Sequence, residues 1–432
     1  MTLFRAIRAG GLGLALLILA ASAQAQTPAG DDFQSWLAAL RTEAIARGIR
    51  AETFDRALAG VQPDPRVIEL DRCQPEFLEP FLDYLERRVT ARRVEEGRRL
   101  LNEHRELLAA VQRRYGIPPH VLVAFWGLET NYGGFMGDFA VPVVLATLAF
   151  EPRRSQFFRA QLLDALVILD EGHVDVTAMR GSWAGAMGHM QFMPSTFRAY
   201  AVDADGDGRK DLWGSLPDAF ASAANYLSRL GWRADELWGR EVRLPENFDW
   251  EQARLSLTRP VSAWAAMGVT QADGSPLPNS NLQGAIVLPQ GYKGPAFLVY
   301  GNFNIIMNWN RSLSYALAVG LLADRLRGLP GLQNGQAARH PRLTRQQIIE
   351  LQRQLDALGF EPGEADGIPG GRTRAAIKAF QRQAGLPVDG YTSPELVARV
   401  EAQARSRGLI SAAQAPLASE PDAAPTPAPR LQ

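Results

Sequence analysis

Hydrophobic residues recur at intervals of three and four over much of the chain before position 330. This spacing predicts amphipathic helices over positions 33–46, 52–59, 76–89, 92–115, 155–170, 217–230 and 303–327. A different helix begins at Pro118 and Pro119, because positions 121–126 (Val-Leu-Val-Ala-Phe-Trp) are apolar in every direction. A helix of that composition is expected to be buried on all sides.

The pattern changes between about 240 and 292, where isolated apolar residues stand among Pro, Gly and Asn. Val242, Leu244, Trp250 and the run Ile286-Val287-Leu288 predict short strands joined by turns. A mostly helical body with a small strand-rich insertion is an α+β fold. Positions 26–328 are expected to form this body as one domain.

A loop rich in Gly, Pro and Gln at 329–341 predicts a linker before a separate unit at 342–403. Helical spacing over 343–358, 372–384 and 393–403 gives this unit three helices. Asp366-Gly367 and Asp389-Gly390 mark the tight turns between them, where glycine takes a positive φ. The remaining positions, 404–432, become dominated by Ala and Pro after Ser411, which predicts a disordered tail.

Composition excludes several kinds of function for this chain of 432 residues. Lys and Arg together number 46, as do Asp and Glu, a balance that argues against nucleic acid as a partner. The single cysteine, Cys73, excludes an intrachain disulfide and every metal site built from several cysteines.

The first 25 positions have the three parts of a secretory signal peptide. Arg5 and Arg8 precede an apolar stretch over 10–20, and Ala23-Gln24-Ala25 fits cleavage after Ala25. No cysteine lies near that site, and no later segment is apolar over about 18 residues, so no membrane anchor is predicted. The expected location is the periplasm of a Gram-negative cell.

One carboxyl group, Glu129, follows the apolar run of the predicted buried helix, shortly before Gly133-Gly134. A glutamate in a last helical turn is most often a solvated surface residue. At the end of a buried helix, a charged carboxylate without a partner is costly, so Glu129 is expected to have a partner or to stay protonated. A protonated carboxyl is the general acid that cleavage of a glycosidic bond requires.

A second carboxylate normally serves glycosidases as nucleophile or base. Asp138 and Asp164 are candidates, but neither lies in a run that looks like a site. A site with one carboxylate favours a reaction in which the substrate supplies the second group.

The segment 203–211 (DADGDGRKD) places carboxylates at alternate positions, with glycine at the sixth, as at the start of an EF-hand loop. Position 12 is Gly214 where an EF-hand has a glutamate, so a later residue would have to close a longer loop. The expected ligands are Asp203, Asp205, Asp207, Arg209 (through its backbone carbonyl) and Asp218. The segment predicts a structural Ca²⁺ site without a catalytic role; the alternative is a surface loop rich in Asx turns.

The segments 123–134 (VAFWGLETNYGG) and 185–195 (GAMGHMQFMPS) resemble the lytic murein transglycosylases, specifically the membrane-bound lytic transglycosylase B family. The similarity covers most of 30–327, including the segments 71–77, 225–226, 302–303 and 310–316. It implies a lysozyme-like catalytic core, no catalytic cofactor, and cleavage of the MurNAc–GlcNAc β-1,4 bond of peptidoglycan. Glu129 would protonate the leaving sugar oxygen and then accept the proton of the MurNAc C6 hydroxyl, which yields a 1,6-anhydro end.

Carried over position by position, the resemblance also implies a glycan groove. The residues expected to line it are Tyr132, Ser182, Met187, Gln191, Tyr226, Asn302 and Asn310. Trp309 stands where the family pattern has a tyrosine, so a hydroxyl contact is expected to be lost there while stacking on a sugar persists. His189 occupies a variable position and is not expected to be a catalyst. The three methionines of segment 185–195 fit core or cleft lining.

The C-terminal unit resembles the small three-helix peptidoglycan-binding module of cell-wall enzymes. The matching residues are Leu351-Gln352, Leu358-Gly359, Asp366-Gly367, Gly371-Arg372-Thr373 and Ala379-Phe380-Gln381. The resemblance implies peptidoglycan glycan strands as the partner, and complexes that build or divide the wall are further candidates.

Two other functions remain open from the sequence. One is a hydrolytic muramidase on the same fold, which would use water and leave reducing ends. The other is a non-catalytic scaffold that binds the cell wall through the C-terminal unit.

Overall fold

The computed structural model describes residues 30–73 and 79–410. The predicted signal peptide (1–25), the matched positions 74–77 and the Ala- and Pro-rich positions after 410 lie outside the described residues.

Helices account for most of the described chain, and short strands for a small part of it. The helices are α1 Gly30–Ala46, α2 Ala51–Leu58, α3 Pro65–Cys73, α4 Phe81–Arg88, α5 Ala91–Glu103, α6 Arg105–Tyr115, α7 Pro119–Thr130, α8 Val141–Phe150, α9 Ser155–Asp170, α10 Pro194–Tyr200, α11 Leu216–Arg229, α12 Val261–Ala266, α13 Gly301–Trp309, α14 Leu313–Leu326, α15 Arg345–Ala357, α16 Gly371–Gln383 and α17 Pro394–Ser406. The strands are β1 Phe139–Ala140, β2 Arg180–Gly181, β3 Gly239–Arg243, β4 Arg259–Pro260, β5 Thr270–Gln271, β6 Gln283–Val287 and β7 Ala296–Val299. The predicted α+β fold, mostly α, is confirmed.

Helix α7 lies at the centre of the main body. It packs against α5, α6, α11 and α14, and every residue from Val121 to Leu128 is buried. Pro119 occupies the first turn, where a missing N–H breaks no helical hydrogen bond. The all-round burial that its composition predicts is therefore observed, and it fixes the helix end that carries Glu129.

Two predicted helices are each divided in two. The segment 92–115 breaks at His104, whose φ of −98° and ψ of 22° leave the helical region. The segment 303–327 breaks at Asn310, which is extended, and α14 restarts where the Ser312 side chain accepts from the Tyr315 N–H. Hydrophobic spacing does not register either break, because the apolar face continues on both sides.

Among the described residues, four helices have no counterpart in the prediction: α3, α8, α10 and α12. Helix α8 (VPVVLATLAF) is buried at eight of its ten positions and pairs with α9. A short, uniformly apolar segment has no periodicity that separates a buried helix from a buried strand.

The strand-rich insertion forms a five-stranded antiparallel sheet in the order β4-β6-β7-β3-β5. One face has its own small core, in which Phe248 and Trp264 pack on Ile286 and Leu298. Strand β7 lies beyond the predicted stretch. A separate two-stranded ladder, β1 with β2, pairs Phe139 with Gly181 and lies beside the candidate site.

The C-terminal unit consists of α15, α16 and α17 around its own apolar cluster. A buried glutamine clamps each predicted Asp-Gly turn. Gln352 donates to Asp366 Oδ1 (3.1 Å) and accepts from the Gly367 N–H (2.9 Å). Gln381 does the same with Asp389 Oδ1 (2.7 Å) and the Gly390 N–H (2.9 Å). Helix α17 runs to Ser406, three residues beyond its predicted end, so the positions 404–406 assigned to the tail are helical.

Replacing Gln352 with Ala is expected to destabilise the C-terminal unit by about 1–3 kcal/mol, because it leaves the buried turn without its hydrogen-bond partners. Thermal unfolding followed by circular dichroism would measure the loss. Gln346→Ala is the matched control, since the exposed Gln346 side chain bonds only to Glu350 on the same helix. Equal stability of the two variants would contradict the clamp.

Candidate active site

Glu129 occupies the last turn of α7, at the boundary between the buried core and the surface. The helix ends because Asn131 and Tyr132 both take left-handed conformations, with φ of 51° and 62°. The helix therefore ends at Thr130, before the Gly133-Gly134 pair is reached. Left-handed backbone at non-glycine residues costs about 1–3 kcal/mol each, so the surrounding structure holds this helix end in place.

The carboxyl group of Glu129 has two neutral donors on one oxygen. Trp309 Nε1 donates to Oε1 at 2.8 Å, and the Tyr315 hydroxyl donates to the same oxygen. Tyr315 is buried, and that burial together with the neighbouring Glu129 carboxylate raises the pKa of its hydroxyl well above the ordinary value. Tyr315 therefore remains a donor at every physiological pH.

The structure adds a contact to the expectation for Trp309. No tyrosine hydroxyl is present at this position, and the indole N–H donates to Glu129. Tyr315 was matched to the family from sequence and not recognised as a site residue. The sequence does contain a signal for it, because Tyr315 lies in the matched segment three residues after Ser312. Ser312 caps α14 and so sets the direction of the Tyr315 side chain.

An aromatic wall adjoins Glu129. The Trp309 ring lies 4.4 Å from Phe125, 5.3 Å from Tyr226 and 5.4 Å from Phe192, measured between ring centroids. Tyr226 in turn lies 4.5 Å from Tyr200, and burial raises the pKa of its hydroxyl. Rings arranged in this way offer apolar faces on which sugar rings can stack.

The Gly/Met/Gln segment forms a tight folded loop opposite the acid helix. Ser182 Oγ accepts from the backbone N–H of Ala184 (3.3 Å) and of Ala186 (3.0 Å). Gln191, at a φ of 47°, donates from Nε2 to the carbonyls of Met136 and Gly188, each at 3.0 Å. Both side chains are half-buried. Their hydrogen bonds stabilise the loop, and part of each side chain remains accessible to solvent.

His189 joins this loop to the acid helix. Its Nδ1 accepts from Trp126 Nε1 at 3.0 Å, and its carbonyl accepts from the Thr130 hydroxyl at 3.0 Å. Burial lowers the pKa of its imidazole, which is therefore neutral at physiological pH. His189 aligns the two segments and is held away from proton transfer by these bonds.

Two of the expected groove residues are contradicted by the structure. The Met187 side chain is fully buried in the core. Asn302 is also fully buried, and its amide is bonded to the backbone of Arg233 and Glu236. A side chain without exposed surface cannot contact a glycan, so both residues support the fold.

Tyr132 and Asn310 lie at the margins of the site. The Tyr132 hydroxyl donates to the Arg93 carbonyl at 2.7 Å, and its ring packs on Gly97 and Gly127. Burial raises the pKa of that hydroxyl. Asn310 is exposed, and its Oδ1 accepts from the Ser312 N–H at 3.0 Å. Both residues shape the backbone around Glu129.

The Asp-rich loop brings three of its predicted ligands together. One carboxylate oxygen from each of Asp203, Asp205 and Asp218 lies within 4.8 Å of the others. Asp207 is not in this cluster and accepts from the Arg209 N–H at 2.8 Å. Asp218 is fully buried, and burial raises its pKa even though it accepts from two backbone N–H groups.

Among the described residues, the Glu129 carboxyl group lies beside aromatic rings and neutral donors. Such surroundings suit a general acid. Comparison with known families gives the class of protein. A model of the transglycosylase SLT domain matches residues 32–324, and a model of a peptidoglycan binding domain matches residues 344–400. The chain belongs to the transglycosylase SLT domain family. The resemblance to lytic transglycosylases is thus confirmed, as is the prediction of an enzyme.

Individual relatives give the same result. Membrane-bound lytic murein transglycosylase B of Escherichia coli K12 is 34% identical over 250 residues, which cover 56% of this chain and 66% of that relative. The structure of SltB3 from Pseudomonas aeruginosa in complex with NAG-anhNAM-pentapeptide has a TM-score of 0.80 at 50% identity and covers 85% of this chain and 99% of that one. Escherichia coli Slt35 in complex with calcium has a TM-score of 0.59 at 29% identity, over 67% of this chain and 92% of that one.

Proposed function

We propose that this chain cleaves the MurNAc–GlcNAc β-1,4 bond of peptidoglycan with formation of 1,6-anhydro-MurNAc ends, and that Glu129 is both acid and base. Glu129 protonates the leaving GlcNAc oxygen as the C1–O bond breaks. The MurNAc C6 oxygen bonds to C1, and its proton passes to the Glu129 carboxylate. The acid is regenerated and no water is consumed.

The observation that carries this proposal is the surroundings of the Glu129 carboxyl group. Its two identified donors, Trp309 and Tyr315, are neutral. Neutral donors stabilise the carboxylate that forms after proton donation without fixing it permanently as an anion. Neither of the two alternative acids has such surroundings. Asp164 forms an ion pair with Arg198 at 2.5 Å, and Asp138 is exposed on a loop.

The same contacts assign different roles to the two carboxyl oxygens. An indole N–H can only donate, so the oxygen that accepts it cannot hold a proton towards Trp309. Oε1 accepts from both donors, and we therefore assign the transferred proton to Oε2.

For the substrate contacts we retain Ser182, Gln191 and Tyr226, and we add the Trp309 ring. All four side chains are half-buried, so each combines a fixed position with some open surface. The C-terminal unit would hold the enzyme on the polymer. The relative SltB3 has been solved with NAG-anhNAM-pentapeptide, the kind of product that this reaction gives.

Mass spectrometry of digested sacculi tests the proposed reaction. Anhydro-muropeptides, each lighter by one water than the reducing product, are expected. Products with only reducing ends would establish hydrolysis by a muramidase. Binding to sacculi without release of fragments would establish a scaffold.

We also propose that the Asp203–Asp205–Asp218 cluster binds a structural Ca²⁺ ion. Carboxylate oxygens are the ligands that Ca²⁺ prefers, and the buried Asp218 carboxylate is costly as an anion unless a cation lies near it. The Arg209 carbonyl is the proposed backbone ligand. The calcium complex of the relative Slt35 supports this assignment.

Calcium is expected to stabilise the protein by about 2.7 kcal/mol at a concentration of roughly 100 times its dissociation constant. Thermal unfolding with and without Ca²⁺ would show the increase in Tm. Asp205→Asn removes a ligand from the cluster and should abolish most of the increase, whereas Asp207→Asn, outside the cluster, should retain it. A wild-type Tm that does not respond to Ca²⁺ would rule out the site.

The periplasm is the proposed location. None of the helices within 30–73 and 79–410 is long and apolar enough to cross a membrane, and the signal that would direct export lies outside these residues. N-terminal sequencing of the exported protein should find Gln26 first; an intact Met1 would contradict export by cleavage.

A further inference from the structure

A second polar hollow lies beside the β1–β2 ladder. Its volume is about 240 Å³, several times the ~30 Å³ that one water occupies in the liquid. It is lined by four charged residues, Asp64 and Arg66 at the start of α3 together with Asp138 and Arg180. Phe139 and two valines of α8 add apolar lining.

The charged side chains of this hollow make local contacts and form no ion pairs with one another among the described residues. The Asp64 carboxylate accepts from the Arg66 N–H at 2.9 Å, at the start of α3. Arg66 lies over the Phe139 ring, 5.1 Å from its centroid, and Arg180 donates to the Asp138 carbonyl at 2.7 Å. Within the described residues neither guanidinium pairs with a carboxylate, and the Asp138 carboxylate has no cation. Nearby arginines differ: Arg153 and Arg154 are both tied to Asp71. Open guanidinium forks bind carboxylates strongly, often in a bidentate way.

The hollow adjoins the segments that carry Ser182 and Gln191. Arg180 is two residues from Ser182, and Asp138 is two residues from Met136, whose carbonyl accepts from Gln191. The two backbones are in close contact, since a Cβ on Gly137 would lie 2.0 Å from the Gly181 carbonyl oxygen. A group attached to a sugar in the groove could therefore reach the hollow across this thin ladder.

We propose that this hollow binds the peptide stem of a peptidoglycan strand, with Arg66 and Arg180 on a stem carboxylate and Asp64 and Asp138 near a stem amino group. The inference rests on the proposed function, because it places the strand in the adjoining groove. In a stem-bearing strand the sugars are uncharged, because the lactyl carboxyl group of MurNAc is bound to the stem as an amide, whereas the peptides carry both carboxylate and amino groups. Two cations and two anions around one hollow match such a ligand. A sugar would need an open aromatic face, and Arg66 covers that of Phe139.

Binding experiments on the full chain test the stem site separately from catalysis. The Glu129→Gln protein is titrated by calorimetry with soluble glycan strands that carry stems and with strands stripped of stems by an amidase. The same two titrations are then repeated with a triple variant that carries Arg66→Ala and Arg180→Ala in addition to Glu129→Gln. Losing charge-assisted hydrogen bonds should weaken binding of stem-bearing strands about tenfold or more. Stripped strands keep only the lactyl carboxylate of each MurNAc, so their affinity should fall much less than that of stem-bearing strands.

The matched control is Arg41→Ala, which removes an exposed arginine paired with Asp55 on α2. It should leave both titrations unchanged. Arg66→Lys with Arg180→Lys retains the cations and should recover part of the affinity. The stem site would be overturned if the Arg66→Ala/Arg180→Ala protein bound stem-bearing strands as tightly as the Glu129→Gln protein does. It would also be overturned if the affinities for stem-bearing and stripped strands fell by the same factor. Failure to form anhydro products concerns the proposed reaction alone, because these titrations need no turnover.

Discussion

Glu129→Gln is expected to lower kcat for release of anhydro-muropeptides by about 10²–10⁴, the range that general acid–base groups contribute. The upper part of that range is expected, since one carboxyl group carries out both proton transfers. Glutamine has the same shape, and its carbonyl oxygen can still accept from Trp309 and Tyr315. The variant should therefore fold normally and bind glycan, and lose only the proton that it must donate.

Asp164→Asn is the matched control for this substitution. It also exchanges a carboxylate for an amide, at a residue that pairs with Arg198 on α10, and it should remain active. The measurement is the initial rate at which each protein releases fragments from sacculi, with the fragments quantified by mass spectrometry. If the Glu129→Gln protein solubilised sacculi at the wild-type rate, Glu129 would not be the acid.

Glu129 could be selected from the sequence as the candidate acid because the pattern that marks it is local. Positions 121–126 are apolar throughout, which predicts a buried helix, and Glu129 follows within the same helix. Its partners could not be found in this way. Trp309 and Tyr315 are 180 and 186 residues away along the chain, and no periodicity links positions so distant.

The break between α13 and α14 explains why Tyr315 was missed. Hydrophobic spacing joins the two helices into one, and a continuous helix would carry Tyr315 in a different direction. In the structure Asn310 is extended and Ser312 starts a new helix. The Ser312 cap is a sequence signal, but an apolar face on both sides outweighs it.

Resemblance to a family identifies positions and not the direction of side chains. Ser182 and Gln191 are half-buried on their loop, whereas Met187 and Asn302 are fully buried in the core. A methionine in a glycine-rich loop and an asparagine in the first turn of a helix both look exposed in sequence. Burial of Asn302 depends on the backbone of residues 233–236, which a one-dimensional pattern does not contain.

Tyr315→Phe and Trp309→Phe are each expected to lower kcat by about 10–100-fold, because each removes a hydrogen bond of about 1.5–3 kcal/mol to a developing carboxylate. Tyr315→Phe should change kcat and leave KM unaltered, because the Tyr315 side chain is buried and does not contact the substrate. Trp309→Phe should also raise KM slightly, since a smaller ring offers less surface for stacking.

The pH dependence separates this role from a purely structural one. Donors stabilise the carboxylate more than the neutral acid, so removing one keeps Glu129 protonated to higher pH. The alkaline limb of the kcat profile should therefore move to higher pH in both variants. Trp309→Tyr restores a donor and should return the limb towards the wild type. Tyr200→Phe, which removes a hydroxyl from the same aromatic wall without altering these bonds, should leave it in place. A limb that stays fixed in all four variants would mean that neither donor tunes Glu129, and that the Trp309 and Tyr315 bonds only hold α14 against α7.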